Sequence, residues 1–209
     1  MKINISKAIK QFFPNPSLDL VYFEGIANAL DANASEIKLV LTINSFEDPK
    51  SLKIEITDNG EGFTDRGFDR FCELLETDNP DNKGLGRLVF LNYFKKASYD
   101  SFSEDSKRSF VLDNKFDRDF TFISSRKSKG TTLLLDNYKL GSIKTYDYLR
   151  AETLAKAIEL HFLPRLFLIN KKGEHVSITI DVITNSPNPD KKFYSDRKTI
   201  SSSKLPSLK

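Results

Sequence analysis

The sequence is poor in the residues from which disulfide and metal frameworks are built. Its 209 residues include one cysteine, two histidines and no tryptophan. The single thiol, Cys72, cannot close an internal disulfide or form a cysteine-based zinc site, and two histidines leave little for a histidine-rich metal centre. A reduced, cytoplasmic protein is therefore the expectation.

Long hydrophobic runs are also missing. No stretch approaches the ~18 apolar residues of a transmembrane helix, and residues 1–13 have neither the apolar segment nor the cleavage site of a signal peptide. We therefore expect no membrane contact. The chain has 32 basic and 29 acidic residues, an excess too small to indicate nucleic-acid binding by itself. Six basic and two acidic residues fall within 186–209, so the basic character belongs to that end.

Apolar periodicity predicts an α/β, or α+β, two-layer sandwich in which helices cover one face of a mixed, mostly antiparallel sheet. Helical spacing of apolar residues predicts helices over 17–32, 65–76, 85–95 and 146–162. Alternation and short apolar runs predict strands over 35–44, 52–58, 96–103, 108–113, 118–124, 131–136 and 175–183.

These elements divide the chain into three segments. Residues 1–140 contain all the motifs described below and form one predicted domain. Residues 141–185 are interpreted as a helix and a strand that pack on this domain or lead to a next one. Residues 186–209 are rich in proline, serine and lysine and are interpreted as a basic tail or linker.

The first motif is E-G-I-A-N-A-L-D-A at residues 24–32. Glu24, Asn28 and Asp31 are spaced i, i+4 and i+7, so a helix would bring them to one face. Taken alone, this stripe is typical of the solvated side of an amphipathic helix.

The second motif, D-N-G-E-G-F at residues 58–63, follows a predicted strand. Asparagine and glycine favour a turn there. A calcium loop is a poor alternative, because it needs a preceding helix and a glutamate at its twelfth position, which is Asp69 here. A carboxylate beside two glycines can instead accept a hydrogen bond from a ligand amine, while the glycines let the ligand approach the backbone.

Two weaker motifs follow. K-G-L-G-R at residues 83–87 opens an apolar helix, where exposed N–H groups favour phosphate. It lacks the P-loop spacing and the third glycine of a dinucleotide fingerprint. G-T-T at residues 130–132 precedes an apolar strand and, taken alone, is a turn.

In this order and spacing, the four motifs resemble the Bergerat nucleotide-binding fold. That fold defines the GHKL superfamily of DNA gyrase, heat-shock chaperone ATPases, histidine kinases and mismatch-repair ATPases. The resemblance covers about residues 16–136. The arginine that follows G-L-G resembles the arginine found after this motif in a subgroup of heat-shock-chaperone-like bacterial ATP-binding proteins. ATP and Mg²⁺ are the ligands that this resemblance implies.

The resemblance also implies roles for individual residues. Glu24 matches the general base that activates the attacking water, and Asn28 matches the residue whose oxygen binds Mg²⁺. Asp58 matches the carboxylate that accepts from the adenine amino group, and Thr131 the hydroxyl that completes the adenine hydrogen bonds. Phe63 stands where the family often has an apolar residue against the base.

Further positions line the nucleotide in the family. They match Asp31, Ala32, Gly60, Gly62, Lys83, Gly84, Leu85, Gly86 and Arg87. Gly60 and Gly62 would admit the base, and Gly84 and Gly86 would form the phosphate-binding turn, with charge added by Lys83 or Arg87. Residues 64–83 correspond to the family's ATP lid, in which we expect Cys72 to be a packed apolar residue.

The function implied is Mg²⁺-dependent ATP binding with slow hydrolysis, in which the chain acts as a conformational switch and forms the N-terminal domain of a larger protein. A downstream domain or a second copy of the chain would be its partner, and His161 is expected to be packed or at such an interface. The alternatives are a histidine-kinase catalytic domain, which usually has asparagine where Glu24 stands, and a nucleotide-sensing module without turnover. A DNA-binding clamp is supported only by the basic end.

Overall fold

The computed structural model describes residues 17–45, 48–72, 86–104, 106–124, 128–140, 149–184 and 195–205. The helices in these ranges are α1 (Asp19–Asp31), α2 (Asp65–Cys72), α3 (Leu88–Tyr93) and α4 (Ala151–Lys171). The strands are β1 (Glu36–Ile43), β2 (Lys53–Asp58), β3 (Phe94–Ser103), β4 (Ser106–Leu112), β5 (Phe120–Ser124), β6 (Gly130–Tyr138), β7 (Ser177–Thr184) and β8 (Ser195–Ser201). Short 3₁₀ turns occur at Pro49–Ser51 and Ser202–Lys204.

The eight described strands form one open sheet in the order β5-β4-β3-β6-β2-β1-β7-β8. Neighbouring strands are antiparallel, with the exception of the parallel pair β1 and β7. Helices pack on this sheet, so the predicted α+β class with a mixed, mostly antiparallel sheet is confirmed. The predicted hairpin of the first two strands is present as β1 and β2.

Strand register builds the core, because directly paired residues of neighbouring strands share a face of the sheet. One buried row runs across five strands: Leu39, Ile56, Leu133, Tyr99 and Phe110. Helix α1 adds Val21, Ile26 and Leu30 to the same core. Alternation in the sequence therefore decides which face the helices cover.

Two predicted helices have different bounds. The apolar run predicted as a helix over 85–95 forms a helix only at Leu88–Tyr93, and Phe94 is already extended as β3 begins. Pairing of β3 with β6 outweighs local helix spacing there. The helix predicted over 146–162 runs from Ala151 to Lys171 and contains Pro164. Its buried residues continue at helical spacing to Leu166, beyond that proline.

The end of the chain differs from the predicted tail or linker. Ser195–Ser201 forms the edge strand β8, antiparallel to β7. Asp181 of β7, buried on the face opposite the core, accepts from Arg197 Nε at 2.5 Å and Nη2 at 2.9 Å. This pair lowers the pKa of Asp181 and ties the basic end to the sheet. Within the described ranges, no helix is long and apolar enough to cross a membrane.

Candidate functional site

The first predicted site residues lie on α1, the helix that packs over the middle of the sheet. Glu24 is half-buried and Asn28, one turn later, is exposed. Asn28 Nδ2 donates to Glu24 Oε1 at 3.3 Å. The i, i+4 spacing in the sequence therefore places these two side chains within hydrogen-bonding distance on one face of the helix.

The surroundings of Glu24 shift the pKa of its carboxyl group. Burial raises its pKa above the ordinary 4.5, while the hydrogen bond from Asn28 and the positive charge of Arg87 lower it by less, and Asp31 adds a small repulsion. A carboxyl group whose pKa is raised by burial is a candidate for proton transfer.

The third motif meets the first at this carboxylate. A Cβ placed on Gly86 would overlap both carboxylate oxygens of Glu24, so a larger residue there would displace this carboxylate. The next residue, Arg87, is 8% exposed. Its guanidinium lies 4.5 Å from the centre of the Phe71 ring and donates to the Phe71 carbonyl. Arg87 thus connects the end of α2 to the Glu24 region.

The second motif forms a tight turn at the end of β2. The Gly60 N–H donates to Asp58 Oδ1 at 2.8 Å, and the Glu61 N–H donates to the Ala32 carbonyl at 2.9 Å. Burial raises the pKa of Asp58, and backbone hydrogen bonds from Gly60 and Thr131 lower it by less. The turn therefore brings Asp58 close to the C-terminal end of α1.

Gly62 has a positive φ of 71°, the left-handed region that glycine enters at little cost. A Cβ there would also overlap the Phe102 carbonyl of β3. The chain then turns so that the Phe63 N–H donates to Ser101 Oγ at 2.7 Å. Gly62 is thus required by both its backbone conformation and its close approach to β3.

A polar row crosses the covered face beside the apolar one. It consists, from β2 to β4, of Asp58, Thr131, Ser101 and Arg108. Ser101 Oγ and Thr131 Oγ1 are 3.0 Å apart. Arg108 Nη1 donates to the carbonyls of Phe63 at 3.1 Å and Thr64 at 3.0 Å, and Nη2 pairs with Asp65. Sequence reasoning missed Ser101 and Arg108, because no motif marks them; they are found only from strand register.

Phe63 belongs to a cluster of aromatic rings. Its ring centroid lies 5.3 to 6.4 Å from those of Phe68, Phe71, Tyr99 and Phe110, all edge-on. Phe63 also lines a cavity of about 490 Å³ with Ser103, Glu104 and Phe122. Of the predicted site residues that the structure describes, Phe63 lines this cavity and Glu24 does not.

Asp31 is exposed and pairs with Arg165 of α4 at 2.7 Å. Cys72 is buried as predicted, and burial raises its pKa. His161 stacks on Phe23, with ring centroids 3.9 Å apart. Lys83, Gly84 and Leu85, with most of the predicted lid, lie outside the described residues.

The predicted metal site offers one protein oxygen ligand, from Asn28, rather than a full set of protein ligands. Among the described residues, no group of three or more histidine, cysteine, aspartate or glutamate side chains is placed to hold a metal ion. Asn28 uses its amide nitrogen toward Glu24, which leaves its Oδ1 for another contact. Such a site fits Mg²⁺ that is bound mainly through phosphates, because Mg²⁺ commonly takes only one or two protein ligands there.

The fold and the site define an α+β domain with a helix-borne acid and amide beside a strand-end carboxylate. The chain is similar to the crystal structure of the N-terminal domain of a DNA repair protein, at 19% identity and a TM-score of 0.52. The alignment covers 92% of this chain and 55% of that one, so the chain spans about half of its length. At this identity the likeness is one of fold. No family model matches the sequence, and no curated protein matches it significantly.

Proposed function

We propose that this chain is a GHKL-type ATP-binding domain that hydrolyses ATP slowly with Mg²⁺ and acts as a nucleotide-driven conformational switch. The observation that carries the proposal is the convergence of distant motifs. Glu24 is in contact with Gly86, while Asp58 is in register with Thr131 on the covered face of the sheet. Both meetings involve residues that the sequence motifs single out for ATP.

The base of the nucleotide would bind at the end of β2. When it is ionised, the Asp58 carboxylate can only accept hydrogen bonds, so it suits the amino group of adenine and disfavours the carbonyl of guanine. Thr131 adds a hydroxyl that is already oriented by Ser101. Asp58 and Thr131, which are neighbours on adjacent strands, would thus hydrogen-bond to one edge of the adenine base.

The phosphates would lie toward α1. Glu24, held by Asn28, would orient and deprotonate the attacking water. Asn28 Oδ1 would hold Mg²⁺, which neutralises phosphate charge when it is bound. Glutamate rather than asparagine at position 24 favours hydrolysis over a histidine-kinase reaction.

Isothermal titration calorimetry with ATP and Mg²⁺ tests the proposal. We expect saturable binding that Asp58→Asn weakens at least about tenfold, because an amide nitrogen would face the adenine amino group. Asp136→Asn is the matched control, since Asp136 pairs with Lys96 on the opposite face of the sheet. No binding at millimolar ATP, or equal losses in the two variants, would contradict the proposal.

Because the similar structure is the N-terminal domain of a DNA repair protein, we propose DNA as the first macromolecular partner to test. Arg197, one of the six basic residues near the end of the chain, is already paired with Asp181, which reduces the charge available to DNA. Fluorescence anisotropy with duplex DNA at two salt concentrations measures this. DNA binding that weakens with salt supports the role, and no binding at low salt argues against it.

A further inference from the structure

Tyr99 carries a buried polar group that the fold does not use. It lies on the covered face of β3 with 6% of its surface exposed. Its ring stacks on Phe110, with centroids 4.6 Å apart and planes 12° from parallel. Within the described part of the chain, the Tyr99 hydroxyl has no hydrogen-bond partner. A buried hydroxyl without a partner destabilises a protein, and phenylalanine would pack here without that cost.

The surroundings of Tyr99 connect it to the proposed phosphate end of the site. The Phe71 ring lies 5.3 Å from the Tyr99 ring and 4.5 Å from the Arg87 guanidinium, so Phe71 bridges the two. Gly86, next to Arg87, is in contact with the Glu24 carboxylate. Tyr99 is therefore linked to Glu24 through Phe71, Arg87 and Gly86. It lies two positions along β3 from Ser101 and the polar row.

The protonation state of Tyr99 favours donation. Burial raises its pKa well above the ordinary value of 10.0, and Glu24 adds to this while the charge of Arg87 opposes it. The phenol is thus neutral at physiological pH and carries a proton to donate. Phosphate oxygens are acceptors without a donor, which makes them a complementary ligand.

We propose that the Tyr99 hydroxyl is a ligand-binding group that donates a hydrogen bond to a phosphate oxygen of the bound nucleotide, beside Arg87. The proposal rests on the proposed function, and it assigns a residue that no sequence motif marks. Because the hydroxyl has no exposed surface, a side chain must move before a ligand reaches it. Phe71, half-buried at the end of α2, is the neighbour that already contacts both Tyr99 and Arg87.

Calorimetric titrations of the whole chain and its Tyr99→Phe variant with ATP, ADP and adenosine test this inference. We expect about a tenfold loss of ATP and ADP affinity, the effect of one hydrogen bond to a charged group, and no loss for adenosine. Urea unfolding of the free variant should give a midpoint at or above that of wild type, because an unpaired buried hydroxyl is removed. A structural hydroxyl would give a lower midpoint instead.

Tyr138→Phe is the matched control. Tyr138 is also a buried tyrosine of the same sheet, at the far end of β6 from Thr131. Its variant should bind all three ligands as wild type does. Unchanged ATP affinity in Tyr99→Phe, with wild type binding normally, would overturn the role of Tyr99 alone. An equal loss for adenosine would overturn the phosphate assignment, and a wild type that binds no ATP would overturn the proposed function as well.

Discussion

Gly86 and Glu24 lie so close together that a Cβ on residue 86 would overlap the Glu24 carboxylate. Gly86→Ala would therefore push the carboxylate away from its position beside Asn28. We expect ATP turnover to fall at least about tenfold, since displacing a catalytic group by about 1 Å already costs this much or more. A coupled phosphate-release assay measures the change.

Gly173→Ala provides the control for this substitution. Gly173 follows α4 with a φ of 79°, and no atom lies within 4 Å of a Cβ built there. Alanine in that conformation should destabilise the fold by about 1 kcal/mol and leave turnover unchanged. Equal turnover losses in the two variants would mean that Gly86 acts through stability and not through Glu24.

Glu24→Gln separates binding from hydrolysis. Glutamine keeps the size of the side chain but cannot accept a proton, so turnover should fall about 10²-fold or more while ATP affinity changes less than about threefold. Turnover from steady-state assays and affinity from calorimetry are compared directly. Residual turnover within threefold of wild type would exclude Glu24 as the base, and a wild type without turnover would favour a nucleotide-sensing module.

The raised pKa of Glu24 predicts the pH dependence of both activity and stability. A base must be ionised, so turnover should rise with pH through a midpoint above the ordinary 4.5. The folded state holds this proton more tightly than the unfolded state, so the contribution of Glu24 to stability is present below 4.5 and is lost as pH rises through the folded-state pKa. Glu24→Gln should accordingly flatten this part of the stability profile. Urea unfolding measured from roughly pH 4 to pH 8 covers the interval in which a carboxyl group with a raised pKa titrates.

Arg108 should control the shape of the loop that follows Asp58. Its guanidinium satisfies the Phe63 and Thr64 carbonyls from a buried position, with 4% of the side chain exposed. Arg108→Met leaves both carbonyls without this donor, so we expect a loss of about 2–4 kcal/mol in the free energy of unfolding and weaker ATP binding.

The neighbouring residue on β4 supplies the comparison. Lys107 pairs with Asp100 at 2.9 Å on the opposite face of the sheet, where Asp100 is half-exposed. Lys107→Met should change the free energy of unfolding by less than about 1 kcal/mol, because exposed ion pairs contribute little. If both variants were equally stable, Arg108 would have no special role in positioning the loop.

Sequence reasoning works best here where a periodic pattern and a motif coincide. The helix that carries Glu24, and the strand that ends in Asp58, are both predicted within two residues of their observed ends. Their apolar spacing is regular, and the same face is buried throughout. Element type and motif position then suffice to bring the two motifs near one another.

Residues that act across strands escape such prediction. Ser101, Arg108 and Tyr99 become neighbours of the loop only through the register of β3 with β4 and β6. The predicted boundary between α3 and β3 is wrong for a related reason, since the local pattern around Phe94 fits an apolar helix and a buried strand equally well. Pairing with a strand more than 30 residues further along the chain decides it.

The parallel pairing of β1 with β7 has a consequence for how the protein folds during its synthesis. β1 ends at residue 43, and its second neighbour begins at residue 177, so about 130 residues are synthesised in between. At roughly 5–20 residues per second, the nascent chain waits about 7–26 s before this edge is closed. During that interval, alternating isoleucine and leucine side chains border an unpaired strand edge, which is a template for association between chains. Ribosome speed, and with it codon choice over this span, should therefore influence how much of the protein reaches its folded state.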